Sequence, residues 1–191
     1  MNRNLRQVIC EDFWISQLKG FEAFAIPSNT CEETSQDLFL FPKFINDRLI
    51  QLSKGISTNT YALLFAGLSI LLARYMEKRD ILLTTPKFID LKSQEIHEEN
   101  QIVFLRLQVE QDATIRSILQ NIQILIKAAH KHQDCDFDAL LKRYCLDNNG
   151  NVDTLFQIGF SYLKLNQNSS LSSRVKLFFQ VQESQEEYCL L

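Results

Sequence analysis

Between Gln101 and His130 the hydrophobic pattern changes its period, and few folds accommodate that change. Val103, Leu105, Leu107 and Val109 alternate with Arg106 and Gln108, the spacing of a strand with one apolar face. From Thr114 to His130 the apolar residues Ile115, Ile118, Leu119, Ile122, Leu125, Ile126 and Ala129 recur at helical spacing instead. A strand followed closely by an amphipathic helix buries both apolar faces by packing one on the other. Ile118, Ile122 and Leu125 are therefore expected to face inward, opposite Val103, Leu105 and Leu107.

The same alternation runs through the rest of the chain. Glu11 to Lys19 predicts a short helix, with Phe13, Trp14 and Leu18 at helical spacing and Gly20 as the stop. Ser28 to Gln36 predicts a polar loop, and Phe39 and Phe41 before Pro42 a short strand. Phe44 to Lys54 predicts a helix capped by Gly55. Asn59 to Glu77 predicts a helix apolar nearly all round and hence buried, with Ser57 and Thr58 as N-cap candidates. Ile81 to Thr85 predicts a buried strand, Lys87 to Asn100 a loop, and Phe137 to Tyr144 a short helix before a turn-rich Leu146 to Asp153. Leu155 to Leu165 and Val175 to Gln182 predict two further strands. Strands alternating with helices make this an α/β chain, a mixed sheet flanked by helices. At 191 residues it is expected to be a single domain, with residues 1–9 and 183–191 as tails.

Composition excludes several functions. Five glycines and three prolines leave no GxGxxG or GxxxxGK[ST] run, so the usual phosphate-cradling loops are absent and no cofactor is expected. A net charge of −3 without a basic stripe argues against nucleic acid. The longest apolar stretch, Tyr61 to Ala73, is shorter than the ~20 residues that cross a bilayer. No apolar signal segment follows Met1. Cys10, Cys31, Cys135, Cys145 and Cys189 are scattered and form no CxxC pair, which predicts reduced thiols and a cytoplasmic protein.

His130-Lys131-His132-Gln133-Asp134 contains H-x-x-x-D, and His130 with Asp134 is the only, weak, candidate for an acid–base pair. The competing reading is structural: cationic side chains closing a helix C-terminus favour its negative end. His130, His132, Asp134, Asp136 and Asp138 alternate as metal ligands could, but a helix end spreads them apart, so no metal is expected. Cys135 near His132 lacks the marks of an activated nucleophile.

The order of segments resembles the C-terminal lobe of nonribosomal peptide synthetase condensation domains, which are built from two lobes related to chloramphenicol acetyltransferase. Glu11-Asp12-Phe13-Trp14 through Gly20 is similar to the Trp-containing helix that opens this lobe. Ser57 through Tyr75, followed by Arg79-Asp80-Ile81, resembles its long buried helix and the lead into a strand. His132-Gln133-Asp134-Cys135-Asp136-Phe137-Asp138 resembles the HQDxPFE segment, the most specific match. The resemblance makes His132, Gln133, Asp134 and Phe137 structural. Leu155-Phe156-Gln157-Ile158-Gly159-Phe160 resembles the PLFQVxF strand, and Val175-Lys176-Leu177-Phe178-Phe179 a worn FDLxL strand.

The departures carry as much information. The Gly and Asn of the family's GxFVNT strand are missing around Glu99 to Leu105. Its VGxPxxxR becomes Leu83-Thr84-Thr85-Pro86-Lys87-Phe88-Ile89-Asp90, without the Arg. The Arg and Pro of RDxSRNPL are absent near Asn148 to Leu155. The catalytic HHxxxDG, which belongs to the other lobe, does not occur, so the resemblance implies half a domain, shortened at its end.

The resulting expectation is a non-catalytic adaptor or recognition scaffold in peptide natural-product biosynthesis. The alternatives are an acyl- or peptidyl-transfer subunit completed in trans, by a separate HHxxxDG lobe or by self-association, and a folded leader presenting its tail. In that last reading Tyr188, Cys189, Leu190 and Leu191 are the residues docked or modified. The expected partner is a protein: an orphan condensation lobe, a carrier protein, a modifying enzyme or a second copy.

Overall fold

The computed structural model describes residues 3–22, 26, 35–89, 102–147, 151–166, 171–184 and 187–191. In chain order these form α1 (Arg3–Leu18), β1 (Phe39–Leu40), α2 (Lys43–Ser53), α3 (Ser57–Tyr75) and β2 (Asp80–Pro86). There follow β3 (Ile102–Gln108), α4 (Ile115–Lys131), α5 (Phe137–Asp147), β4 (Ile158–Tyr162), β5 (Leu177–Ser184) and β6 (Glu187–Leu190). Short 3-10 turns at Asp153–Phe156 and Leu171–Ser173 introduce β4 and β5.

The strands make one mixed six-stranded sheet in the order β1-β6-β5-β4-β2-β3, flanked by the five helices. β2 runs antiparallel to β3 and parallel to β4, and β4 runs parallel to β5. β6 turns back antiparallel on β5, and β1 adds to its far side. The α/β expectation with a mixed sheet therefore holds.

β3 shows why the two periods had to meet. Its odd residues Val103, Leu105 and Leu107 are buried on the side where α4 packs. Ile118 and Ile122 face inward as expected, but Leu125 is only half-buried, and Ile126 and Ala129 take the next inward positions. α4 starts at the cap Thr114, whose Oγ1 accepts from the Ser117 N–H at 3.1 Å. The even residue Phe104 points to the other side, edge-on to Trp14 of α1 with ring centres 6.3 Å apart. β4 is buried on both faces, as a central strand must be. α3 covers it with Tyr61 and Phe65, whose rings lie 5.1 and 6.1 Å from that of Phe160.

Several local expectations need correction. α1 begins at Arg3 rather than Glu11, so most of the supposed N-terminal tail is helix. α3 is entered through Ile56, with Ser57 already helical and no side-chain cap, whereas Ser57 or Thr58 was expected to serve. α2 ends with two left-handed residues, Lys54 at φ 55° and Gly55 at φ 69°. The strand expected from Leu155 to Leu165 is shorter, because Asp153–Phe156 coils tightly before it. Gly159 on that strand has no room for a side chain, since a Cβ there would lie 2.6 Å from Cδ2 of Phe178 on β5. Most of the Ser28 to Gln36 and Lys87 to Asn100 loops lies outside the described residues, as do Cys31 and Glu99.

The largest correction is at the C-terminal end, where a frayed tail was expected and β6 is found. Tyr188 is buried at 3% exposure, its N–H donates to Asn46 Oδ1 of α2 at 3.3 Å, and Phe41 N–H donates to its carbonyl at 3.0 Å. Beside it the Tyr162 hydroxyl donates to Glu183, and Lys164 Nζ lies 2.6 Å from the other Glu183 oxygen. Burial pushes the Glu183 carboxyl up, but these two donors outweigh it and hold the group below its ordinary value. A carboxylate lowered on folding stabilises the fold fully above its ordinary range, and that contribution fades as pH falls through the lowered value. The stability gap between the wild type and Glu183→Gln should therefore be constant near neutrality and shrink in acid below pH ~4. Urea titrations of both proteins between pH 7 and pH 3 check this, and a gap that widens in acid would contradict it.

Candidate functional site

The H-x-x-x-D stretch ends α4 and turns toward α5, and four elements converge on it. His130, His132, Gln133 and Asp134 each have a partner of their own. His132 presents its carbonyl oxygen to α1, where Trp14 Nε1 donates at 2.8 Å and Cys10 Sγ at 2.9 Å. Its imidazole lies flat on Phe13, ring centres 4.2 Å apart and 13° from parallel. Burial lowers the affinity of this imidazole for a proton, and neighbouring Lys131 acts in the same direction. A neutral ring stacked on phenylalanine is thus the favoured state.

Gln133 is buried, and its Oε1 accepts the Phe88 N–H just beyond β2 at 3.0 Å. Asp134 is half-exposed and pairs with Lys87, whose side chain is only 8% exposed; Arg6 of α1 approaches its second oxygen at 3.8 Å. Asp136 caps α5, its Oδ1 accepting from the Ala139 N–H at 3.0 Å. Phe137 stands against Phe104 and Phe156, at ring-centre distances of 5.6 and 6.5 Å. The segment is a junction that locks α1, β2, α4 and α5 together.

His130 and Asp134, the weak acid–base candidates, engage different partners: His130 stacks over Phe88 at 6.4 Å, and Asp134 is held by Lys87 and Arg6. A general base needs a second group to orient it, and neither residue supplies one to the other. Among the described residues no three His, Cys, Asp or Glu side chains come together as metal ligands would. The tail residues are placed in β6 and just after it, with Tyr188 buried and Cys189, Leu190 and Leu191 half-buried.

Two residues that matter here were missed in the sequence. Lys87 follows a strand directly, the place of an exposed loop residue, and its partner lies 47 positions away. Asn166 is buried between strand ends: its Nδ2 donates to the Pro86 carbonyl at 2.7 Å, and its Oδ1 accepts from the Tyr162 N–H at 2.9 Å. It fastens the end of β2 that carries Lys87 and Phe88. Gln133 should be sensitive to truncation, because Gln133→Ala leaves the buried Phe88 N–H without an acceptor. A loss of about 1–3 kcal/mol is expected in chemical denaturation, and no loss would mean that water reaches this turn.

A mixed sheet flanked by helices, with this junction at the end of its second strand, defines the class: an α/β fold. The comparisons with known proteins narrow it. The chain is 29% identical over 150 residues to tyrocidine synthase 3 of Brevibacillus parabrevis, covering 75% of this chain and 2% of that synthase. It is 25% identical over 163 residues to one of the proteins that make up the linear gramicidin synthase of the same organism, covering 78% of this chain and 3% of that relative. The starter condensation domain of rhizomide synthetase superposes with a TM-score of 0.72 at 12% identity, over 97% of this chain and 46% of that one. The cyclization-docking bidomain of EpoB from Sorangium cellulosum gives 0.71 at 18% identity, over 97% and 43%. A four-domain nonribosomal peptide synthetase bound to AMP and glycine gives 0.74 at 16% identity, over 95% and 17%. No protein-family model matches the chain. The chain has the fold of one lobe of a nonribosomal peptide synthetase condensation domain, spanning less than half of the solved chains it superposes on and a few per cent of the curated synthases. Among the described residues no helix is long and apolar enough to cross a membrane.

Proposed function

We propose that this chain acts as a non-catalytic, condensation-like adaptor or recognition scaffold in the biosynthesis of a peptide natural product. One observation carries the reading: the segment closest to a catalytic motif is spent on structure. His132, Gln133 and Asp134 are each committed to α1 or the end of β2, and HHxxxDG does not occur in the sequence. Likeness of fold does not by itself assign a reaction. Free cysteines at the described positions fit a reducing compartment, and we place the protein in the cytoplasm on that ground.

The test of activity is direct. The purified chain, given an aminoacyl thioester on a carrier protein and an amine acceptor, should give no peptide bond above the uncatalysed rate. Turnover abolished by His130→Ala would overturn the scaffold reading.

A scaffold needs a surface, and two groups of exposed apolar side chains offer one. Leu5, Val8 and Ile9 stand out from α1, and Leu38, Leu40 and Phe44 from the β1–α2 region. Such exposure supports a protein partner, a second copy or a complementary lobe. The second reading, a transfer enzyme completed in trans, rests on the same surfaces. Light scattering with and without a purified HHxxxDG lobe tests both, since a stable complex should bury more than about 1,000 Å². Activity that appears only in the mixture favours the second reading, association without activity favours the scaffold, and a monomer in every mixture counts against both. The leader reading draws no support from the tail, whose Tyr188 is buried in the sheet.

A further inference from the structure

Cys10 of α1 and Cys135 of the α4–α5 turn are distant in sequence and meet beneath the His132 carbonyl. Both are free and nearly buried, at 7% and 6% exposure. Each thiol shifts the proton affinity of the other. Two contacts from α1 bring them to the same turn. Cys10 Sγ donates to the His132 carbonyl at 2.9 Å, and one turn earlier on the same face of α1 Gln7 Nε2 donates to Cys135 Sγ at 3.7 Å. Two side chains of one helix face thus bracket the turn carrying the second thiol. Closing a disulfide needs cysteines close enough for their side chains to meet, and the two α1 contacts hold both thiols at this one turn.

We propose that Cys10 and Cys135 form an oxidisable dithiol, a modification site at which a small disulfide such as oxidised glutathione closes a covalent bond between α1 and the α4–α5 turn. Cys10 gives up its proton and its thiolate attacks one sulfur of the oxidant, breaking that S–S bond and releasing one thiol, which takes up a proton. Cys135 then loses its proton and attacks Cys10 Sγ, expelling the second thiol. Two protein thiols are oxidised and one oxidant disulfide is reduced to two thiols.

The two thiols shift each other in opposite directions. Cys135 lowers the Cys10 thiol, helped by Arg6 and opposed by burial, Asp134 and Glu11. Cys135 is pushed up, first by Cys10 and then by burial. Once Cys10 is capped in the mixed disulfide, that first cause disappears. Because α1 also supplies Arg6, Phe13 and Trp14 to the same segment, the bond would fix the whole junction.

The folded chain is incubated with oxidised glutathione, quenched with N-ethylmaleimide under denaturing conditions, and read by intact mass and peptide mapping. The expected result is the loss of two maleimide additions per molecule and a linked peptide joining Cys10 to Cys135. The oxidised protein should unfold at a higher temperature, and dithiothreitol should reverse the shift. Cys145→Ser should leave the link intact, and Cys10→Ser or Cys135→Ser should abolish it. Should either serine variant misfold, the wild-type peptide map still decides. Full maleimide labelling of both residues, a mixed disulfide that never resolves, or a link from Cys10 to another cysteine would overturn the proposal. None of these outcomes depends on the scaffold reading.

Discussion

Trp14→Ala is expected to cost about 3–5 kcal/mol of stability, the range for deleting a large buried aromatic side chain. Trp14 is 2% exposed, between Phe13 at 4.9 Å and Phe104 at 6.3 Å, both edge-on. Removing it empties the space between α1 and β3. It also takes the 2.8 Å indole hydrogen bond from the His132 carbonyl, which keeps Cys10 as a second donor. Trp14→Phe separates the two effects, because most of the apolar volume stays while the donor goes. It should lose the smaller part, about 1 kcal/mol for the hydrogen bond plus a share for lost volume. Urea unfolding of both variants checks the order. A Trp14→Ala protein within about 1 kcal/mol of wild type would mean that α1 is not seated on the sheet.

Trp14 also marks how far periodicity could be trusted in this chain. Its partners Cys10 and Leu18 lie four residues to either side, and all three are buried. The stripe is narrow, and the apolar residues before it, Leu5, Val8 and Ile9, fall on the opposite face. Their positions therefore do not extend the helix signal, and the sequence pattern starts α1 eight residues too late. β3 and α4 are legible because one buried face dictates each pattern. β6 is not: Glu187-Tyr188-Cys189-Leu190 is short and carries no alternation of its own. It is a strand because β5 and β1 supply its hydrogen-bond partners.

The site divides in the same way. That His132, Gln133 and Asp134 belong to a structural segment follows from the family resemblance. Which groups satisfy them does not, because Phe88, Lys87 and Trp14 approach from elements 45, 47 and 118 positions away. A buried lysine beside a carboxylate leaves no pattern in either segment. The decoy H-x-x-x-D shows the reverse failure, since residues close in sequence are drawn to separate partners once α4 ends between them.

Arg106 reads in the sequence only as an outward polar residue of β3, yet its replacement should rank with that of Trp14. Its guanidinium grips Asp80 of the neighbouring strand with two hydrogen bonds, Nε to Oδ1 at 2.8 Å and the terminal nitrogen to Oδ2 at 2.6 Å. The same group donates to the carbonyls of Gln17 at 2.9 Å, Lys19 at 2.8 Å and Gly20 at 3.3 Å, closing the end of α1. Phe21 lies under it, 5.5 Å from ring centre to guanidinium carbon. The hydrogen bond to Asp80 raises its already high proton affinity, so it is charged at every accessible pH. Arg106→Ala strips Asp80 of its counter-charge and leaves three helix-end carbonyls to solvent. Breaking a well-buried pair costs about 3–5 kcal/mol. Because Asp80 is 29% exposed, the lower end, about 3 kcal/mol, is expected here. Arg106→Lys should recover little, since an ammonium cannot hold a bidentate carboxylate and three carbonyls at once. Adding Asp80→Asn to Arg106→Ala should return part of the loss by removing the stranded charge. Urea titrations of the single and double variants decide it: strictly additive losses would show that the two residues do not act as a pair.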